Sequence, residues 1–307
     1  TLVLAAAAVA GSYLYVRVYL KSDGFLAILE QSAVDDMNVE TARIDPLDWD
    51  GSGIRCGGVT MEGHEFLTSL QARNIETEFS RWELLKRAFV ITSVNIEELK
   101  LQLAPVPFRF REKPEGARSW AEENILPDTF RLEKGSIDSL SVSYGEAGRP
   151  YVLDGTRVES AYDAGSSQYR FEMQGGRLLL PFKGCPEFSL MSGTAQFNHA
   201  SRRVNVPSCR LTTAAGGYLD IKGDWDGSSS SWTANMVVNG VPASSVLEGH
   251  WKKHVQGSVS GGIDLRGGRD GVTHVAGLAR LQGGMLTGLP VLDRLALFCG
   301  SSRFRNL

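Results

Sequence analysis

Alternation of apolar and polar residues governs this chain from about residue 40 onward. Its clearest instance is Leu99, Leu101 and Leu103 interleaved with Lys100 and Gln102, which sends leucines to one side of a strand and polar groups to the other. Val204 and Val206, followed by Leu211, repeat the pattern. Similar segments, each bounded by Gly, Asp, Asn or Ser, predict strands at Gly53–Glu62, Leu67–Phe79, Phe89–Leu103, Thr129–Leu132, Ser136–Tyr144 and Tyr151–Tyr162. Further strands are predicted at Tyr169–Leu180, Phe188–Phe197, Arg203–Thr213, Tyr218–Trp225, Trp232–Val238, Gly257–Arg266 and Thr273–Gln282. The short turns between them predict consecutive antiparallel pairing. Helical spacing is confined to short pieces: Phe25, Leu26, Leu29 and Ala33 within 21–37, Trp82 and Leu85 within Arg81–Arg87, Val241–His250, and Leu292, Leu295 and Ala296 within Leu289–Phe298.

The first residues follow another rule. Thr1 to Val16 carry no charge, and Arg17 and Lys21 end the run. Three readings fit. As an uncleaved anchor, with Leu2, Val3, Leu4, Val9, Tyr13, Leu14, Tyr15 and Val16 in the bilayer, sixteen helical residues rise about 24 Å, short of a roughly 30 Å core. Because the chain opens at Thr1 and not at Met, that reading leaves room for upstream residues. Tyr13, Tyr15 and Tyr19 suit an aromatic interface belt. As a secretory signal, Ala8-Val9-Ala10 before Gly11 fits small-x-small cleavage, yet apolar character continues through Val16. A buried core helix is the third reading. The anchor is the reading adopted, and either of the first two carries the body across the cytoplasmic membrane. The resulting division is an anchor at 1–20, a helix plus β region at 21–103, a Pro-punctuated linker or long loop at 104–127, and a β-rich region at 128–307.

Composition narrows the function classes. With 42% hydrophobic and 22% charged residues, the chain is ordinary globular material rather than a disordered tail. A net charge of −3, with Arg202-Arg203 and Lys252-Lys253 as isolated basic pairs, argues against nucleic acid as a partner. Cys56, Cys185, Cys209 and Cys299 contain no CxxC pair, which excludes zinc-ribbon and thioredoxin-type motifs. Cys185 and Cys209 either bridge neighbouring strands in an oxidising compartment or remain thiols; spacing leaves both open.

Candidate chemistry falls away on inspection. His250 and His254 are spaced i, i+4, but Trp251-Lys252-Lys253 lies between them where a metalloprotease helix needs Glu. Asp48-Trp49-Asp50-Gly51-Ser52-Gly53 opens like a calcium loop, but its twelfth position is Val59 rather than a bidentate carboxylate. Asp224-Trp225-Asp226-Gly227-Ser228 repeats the motif, and Asp-Gly turn chemistry accounts for both. Gly257-Ser258-Val259-Ser260-Gly261 has Val at the centre and is no nucleophile elbow. Gly267-Gly268-Arg269-Asp270-Gly271 lacks dinucleotide-loop spacing. No catalytic constellation, metal site or cofactor site is expected.

The apolar run leading through Tyr19-Leu20-Lys21-Ser22-Asp23-Gly24-Phe25-Leu26 into a helix, then the Trp49-Asp50-Gly51-Ser52-Gly53 turn and strands, resembles the N-terminal part of AsmA-like proteins. Near the other end, Gly277-Leu278-Ala279-Arg280-Leu281-Gln282-Gly283-Gly284-Met285-Leu286 runs into Gly288-Leu289-Pro290-Val291-Leu292-Asp293-Arg294-Leu295-Ala296, similar to that family's C-terminal strand, glycine turn and helix. Family members continue with more strands where this chain stops at Phe304-Arg305-Asn306-Leu307, so a fragment or a shortened C-terminal region is expected. The resemblance implies a mainly β fold: an elongated, curved antiparallel sheet, taco-like, with an N-terminal transmembrane helix and a few short helices. It implies an inner-membrane protein with a periplasmic body. Its apolar concave face would shield phospholipid acyl chains, in phospholipid transport or outer-membrane and envelope assembly, alongside envelope protein partners. Leu99, Leu101, Leu103, Val204 and Val206 are the candidate groove face. The competing expectation is a secreted or surface β-sandwich or solenoid that binds a protein or glycan, its two layers covering one another.

Overall fold

The computed structural model describes residues 22–63, 66–80, 88–106, 129–146, 148–181, 185–198, 200–247, 254–268 and 271–286, with Val18, Arg294 and Leu297 as isolated positions. Helix α1 (Asp23–Met37) starts where Ser22 accepts a hydrogen bond from the Phe25 amide at 3.3 Å, with Asp23 in the first turn against the helix dipole. It stops at Asn38, whose left-handed φ of 52° lets the backbone turn back onto the Val34 carbonyl. Strands β1 (Thr41–Ile44), β2 (Leu47–Trp49), β3 (Gly53–Glu62), β4 (Leu67–Phe79) and β5 (Ala88–Leu103) follow. Next come β6 (Thr129–Leu132), β7 (Lys134–Tyr144), β8 (Tyr151–Asp163), β9 (Gln168–Gln174), β10 (Arg177–Leu179), β11 (Phe188–Asn198) and β12 (Arg203–Thr213). The described elements end with β13 (Tyr218–Asp226), β14 (Ser231–Pro242), the one-turn helix α2 (Ala243–Val246), β15 (Val255–Gly268) and β16 (Gly271–Leu286).

All sixteen strands belong to one sheet. It is mixed, which corrects the expectation of a wholly antiparallel one: β5 pairs in parallel with both β6 and β7. Two parallel neighbours need a crossover connection of a dozen or more residues. The stretch read as a long loop, 104–127, supplies that length, although most of it lies outside the described residues. A second correction concerns Tyr169–Leu180, which is two strands. Gly175 and Gly176 break it, with φ of 69° and 90°. A Cβ on Gly176 would stand 2.2 Å from the Thr156 hydroxyl, so only glycine fits where the chain passes this buried threonine. Of the helix expected at Val241–His250, residues 241 and 242 belong to β14 and Ala243–Val246 form α2, while 248–250 lie outside the described residues. Apart from the isolated Val18, Arg294 and Leu297, the expected anchor at 1–20, the helix at Arg81–Arg87 and the helix at Leu289–Phe298 lie outside the described residues. Among the described residues, no helix is long and apolar enough to cross a membrane.

The chain forms two compact units, Thr1–Pro150 with Arg157–Tyr162 and Tyr151–Thr156 with Asp163–Leu307. In the first, pairing aligns apolar residues into rows across the strands. Leu47, Cys56, Ile75, Ile96 and Ile137 form one; Ile44, Val59, Ala72, Leu99 and Leu140 the next; Ala42, Met61, Leu70, Leu101 and Val142 a third. Helix α1 covers one end of these rows: Leu26 is buried with Leu47 and Cys56, and Phe25 and Leu29 pack beside them against Ile44, Ile54, Val59 and Ile75. The opposite face carries exposed polar pairs such as Arg55–Glu76 at 3.4 Å and Arg73–Glu98 at 3.2 Å.

Candidate functional site

In the second unit the same two-residue period builds a wider apolar face. Because side chains alternate between faces, the register decides which residues share a side. Tyr169, Phe197, Val204, Trp225 and Trp232 form one row, and Val206, Gly223, Ala234, Leu265 and Val275 the next. Met173, Gly193, Cys209, Ile221, Met236 and Ile263 form a third, and Leu190, Leu211, Leu219 and Val238 a fourth. No charged residue stands in any of these rows.

The face is closed at one end and open at the other. At the closed end Phe188, Leu190, Leu211, Leu219 and Val241 are buried, with Leu178, Leu180 and Cys185 packed against them. At the open end Val204, Val206, Ala234 and Leu265 are half-buried, and Trp225 keeps 43% of its surface exposed. A cleft of about 260 Å³ lies here, its apolar lining made by Val204, Val206, Ile221, Trp225, Trp232 and Ala234, with Gly223, Lys222, Asp224 and Thr233 completing it. Its depth comes from residue size. Gly223 and Ala234 leave the floor low between the indoles on one side and Ile221 on the other. The Trp232 ring lies across Gly267, where a Cβ would stand 2.4 Å from the indole. Trp225 does the same over Gly227, with a closest approach of 2.8 Å.

The other face is polar and internally paired. Arg210 grips Asp220 through two bonds of 2.7 and 2.8 Å and lies 4.7 Å over the Tyr218 ring. The Arg210 guanidinium holds the Asp220 carboxyl below the usual carboxylate range. Asn205 donates to Asp224 at 2.6 Å, and Arg203 to Asp226 at 3.1 Å. A larger cleft of about 500 Å³ lies among Gln168, Gln196, Asn198, Arg203, Asn205, Asp224 and Asp226 and shares Val204, Trp225 and Trp232 with the smaller one; within it Arg203 pairs with Asp226 and Asn205 with Asp224. The chemistry expected of an apolar groove sits on the smaller cleft.

The five groove candidates from the sequence therefore divide between the units. Leu99, Leu101 and Leu103 project from one side of β5 in the first unit, half-buried. Val204 and Val206 share the cleft in the second. Sequence reasoning missed Trp225, Trp232 and the glycines beneath their rings. The signal lies in Asp224-Trp225-Asp226-Gly227-Ser228, where the turn chemistry of Asp-Gly masks the indole beside it. The anchor residues Leu2, Val3, Leu4, Val9, Tyr13, Leu14, Tyr15 and Val16 lie outside the described residues.

Both Asp-Gly motifs close turns. Asp50 Oδ1 accepts from the Ser52 amide at 2.9 Å, the Ser52 hydroxyl at 2.8 Å and the Gly53 amide at 3.0 Å. Those donors, led by the Ser52 amide, draw the Asp50 pKa down to about 2. Asp226 likewise accepts from the Ser228 amide at 2.9 Å. Among the described residues, no three His, Cys, Asp or Glu side chains are grouped to hold a metal. Cys56, Cys185 and Cys209 are free thiols, and burial pushes each of them above its ordinary pKa, which makes them poor nucleophiles.

What fold and site together define is a mainly β protein with one large mixed sheet, each unit of which has an apolar and a polar face. No protein-family model, no curated protein and no solved structure matches the chain. The resemblance to AsmA-like proteins thus rests on the residues quoted for it above.

Proposed function

We propose that this chain is a non-enzymatic β-groove protein of AsmA-like type, which shelters phospholipid acyl chains on the apolar face of its sheet. In this reading residues 1–20 tether it to the inner membrane, the sheet works in the periplasm, and its task is phospholipid transport or outer-membrane and envelope assembly. The observation that supports it is the half-exposed cleft of Val204, Val206, Trp225 and Trp232. An uncovered apolar face of this kind takes a ligand by burial alone. Each methylene gains about 0.8 kcal/mol, so ten of them gain roughly 8 kcal/mol before ordering costs. No headgroup contact is needed. A β-sandwich binding protein or glycan partners would instead bury Val204, Val206 and Leu265 under its second layer, and their half-exposure weighs against that reading.

The test is lipid extraction and mass spectrometry on the purified full chain, beside Val206→Asp. A carboxylate in the cleft denies an acyl chain about four methylenes of contact, worth about 3 kcal/mol or roughly 200-fold in affinity. Phospholipid should co-purify with the wild type and be lost from V206D while the fold persists. Equal lipid in both, or none in either, would overturn the reading. Retention of the chain in the membrane pellet after alkaline carbonate tests the tether; complete extraction would contradict it.

A further inference from the structure

Strand β16 ends the strand order, and its outer edge has no partner among the described residues. The opposite end of that order is blunted. There β1 is only four residues long, and its Ile44 amide is taken by Glu30 of α1 at 2.9 Å. β16 runs for sixteen residues, Gly271–Leu286, and its only Lys, Arg, Asp or Glu is Arg280. Val275, Leu278 and Leu281 are 65%, 62% and 39% exposed. Long, weakly charged, apolar edges template further pairing unless they are blocked.

We infer that β16 is a self-association edge, pairing antiparallel with β16 of a second copy about a two-fold axis at Leu278. Three observations select this occupant and register. The ladder to β15 is interrupted near both ends of β16, and the regular stretch between the interruptions, His274 to Gln282, has Leu278 as its midpoint. An antiparallel edge pair has its axis normal to the sheet, so each face meets the same face of the copy. With Leu278 on the axis, Val275 then opposes Leu281, His274 opposes Gln282, and Arg280 opposes Ala276. Val275 meets Leu281 and Leu278 meets its own copy, and no like charges face each other. Finally, Leu278 lies in the row of Arg210, Asp220, Val237 and Gly262, an exposed leucine on the otherwise largely polar face. On the axis it is covered by its own copy. Pairing of this kind continues the row of Val206, Ala234, Leu265 and Val275 into the second copy, so two apolar faces become one.

An interface of one strand pair is small, and its association is weak and concentration-dependent. Trapping reads it directly. Directly opposed residues of an antiparallel pair have Cα atoms about 4.5 or 5.5 Å apart, within disulfide reach. Leu278→Cys in the full chain, in detergent micelles with a mild oxidant, should give a reductant-sensitive covalent dimer. Thr273→Cys should give roughly a tenth of that or less, because its counterpart sits ten positions along, about 33 Å away. Native cysteines set the background through the wild type. Leu278→Lys should shift sedimentation toward monomer, since it sets two ammonium groups against each other. Dimer yield from L278C no higher than from wild type or T273C would overturn the proposal. So would a Leu278→Cys thiol that stays unreactive to maleimide in dilute monomer, which would mean that another part of this chain covers the edge. Lipid binding by the apolar face is measured separately, so neither result is confused with failure of the groove.

Discussion

Leu211 and Leu265 lie on the same face of the same unit, and truncating each to Ala separates a covered face from an open one. Leu211 is 3% exposed among Phe188, Leu190, Leu219 and Val241. Removing its side chain leaves a cavity that its neighbours fill only in part, so L211A should cost about 3 kcal/mol. Leu265 is half-buried, opposite Ala234 and Val275. Water already reaches it, the vacated space opens to solvent, and L265A should cost about 1 kcal/mol. At roughly 2–4 °C per kcal/mol for a unit of this size, melting should fall by about 6–12 °C for L211A and about 2–4 °C for L265A. Urea titration followed by tryptophan fluorescence gives the same comparison as free energy, with unchanged m-values showing that the denatured state is unaltered. Equal losses of about 3 kcal/mol would mean that Leu265 has a cover, and the open face would be refuted.

Other outcomes follow from the same geometry. The Asp50 carboxyl should titrate near pH 2 by carbon-detected NMR; because its folded pKa is depressed, its stabilisation is complete above about pH 4 and is lost as pH falls through 2, and titration near 4 would contradict the turn geometry. Gly267→Val should displace the Trp232 ring, destabilise the unit by about 1–3 kcal/mol and change the indole emission, whereas unchanged emission would mean that the ring does not lie on the glycine. Arg210→Ala should leave the urea midpoint close to that of the wild type, because the pair with Asp220 is solvent-exposed; a large fall in the midpoint would show that the polar face is buried.

Much of the sheet was legible in the sequence because a half-buried strand must alternate and turn residues mark its ends. Gly53–Glu62, Leu67–Phe79, Thr129–Leu132 and Arg203–Thr213 form with the ends the sequence predicts. Pairing was not legible. Nothing local in β5 reveals a parallel neighbour, since the partner lies beyond a long connection. The Gly175-Gly176 break was missed because its cause, the nearby Thr156 hydroxyl, is distant in sequence. For the candidate site, alternation placed Val204 and Val206 on one face, but not the cleft between them and Trp232. That cleft depends on Gly223 and Ala234 being opposed to them, which only register supplies.

The sharpest measurement uses the two sides of β12. Val206 faces the apolar cleft, and its neighbour Asn205 faces the opposite side with Asp224. A photoreactive benzoylphenylalanine placed at each position in turn, irradiated in intact cells, should crosslink phospholipid at 206 and none at 205. Equal lipid capture at both positions, or capture at 205 alone, would contradict an acyl chain held on the apolar face.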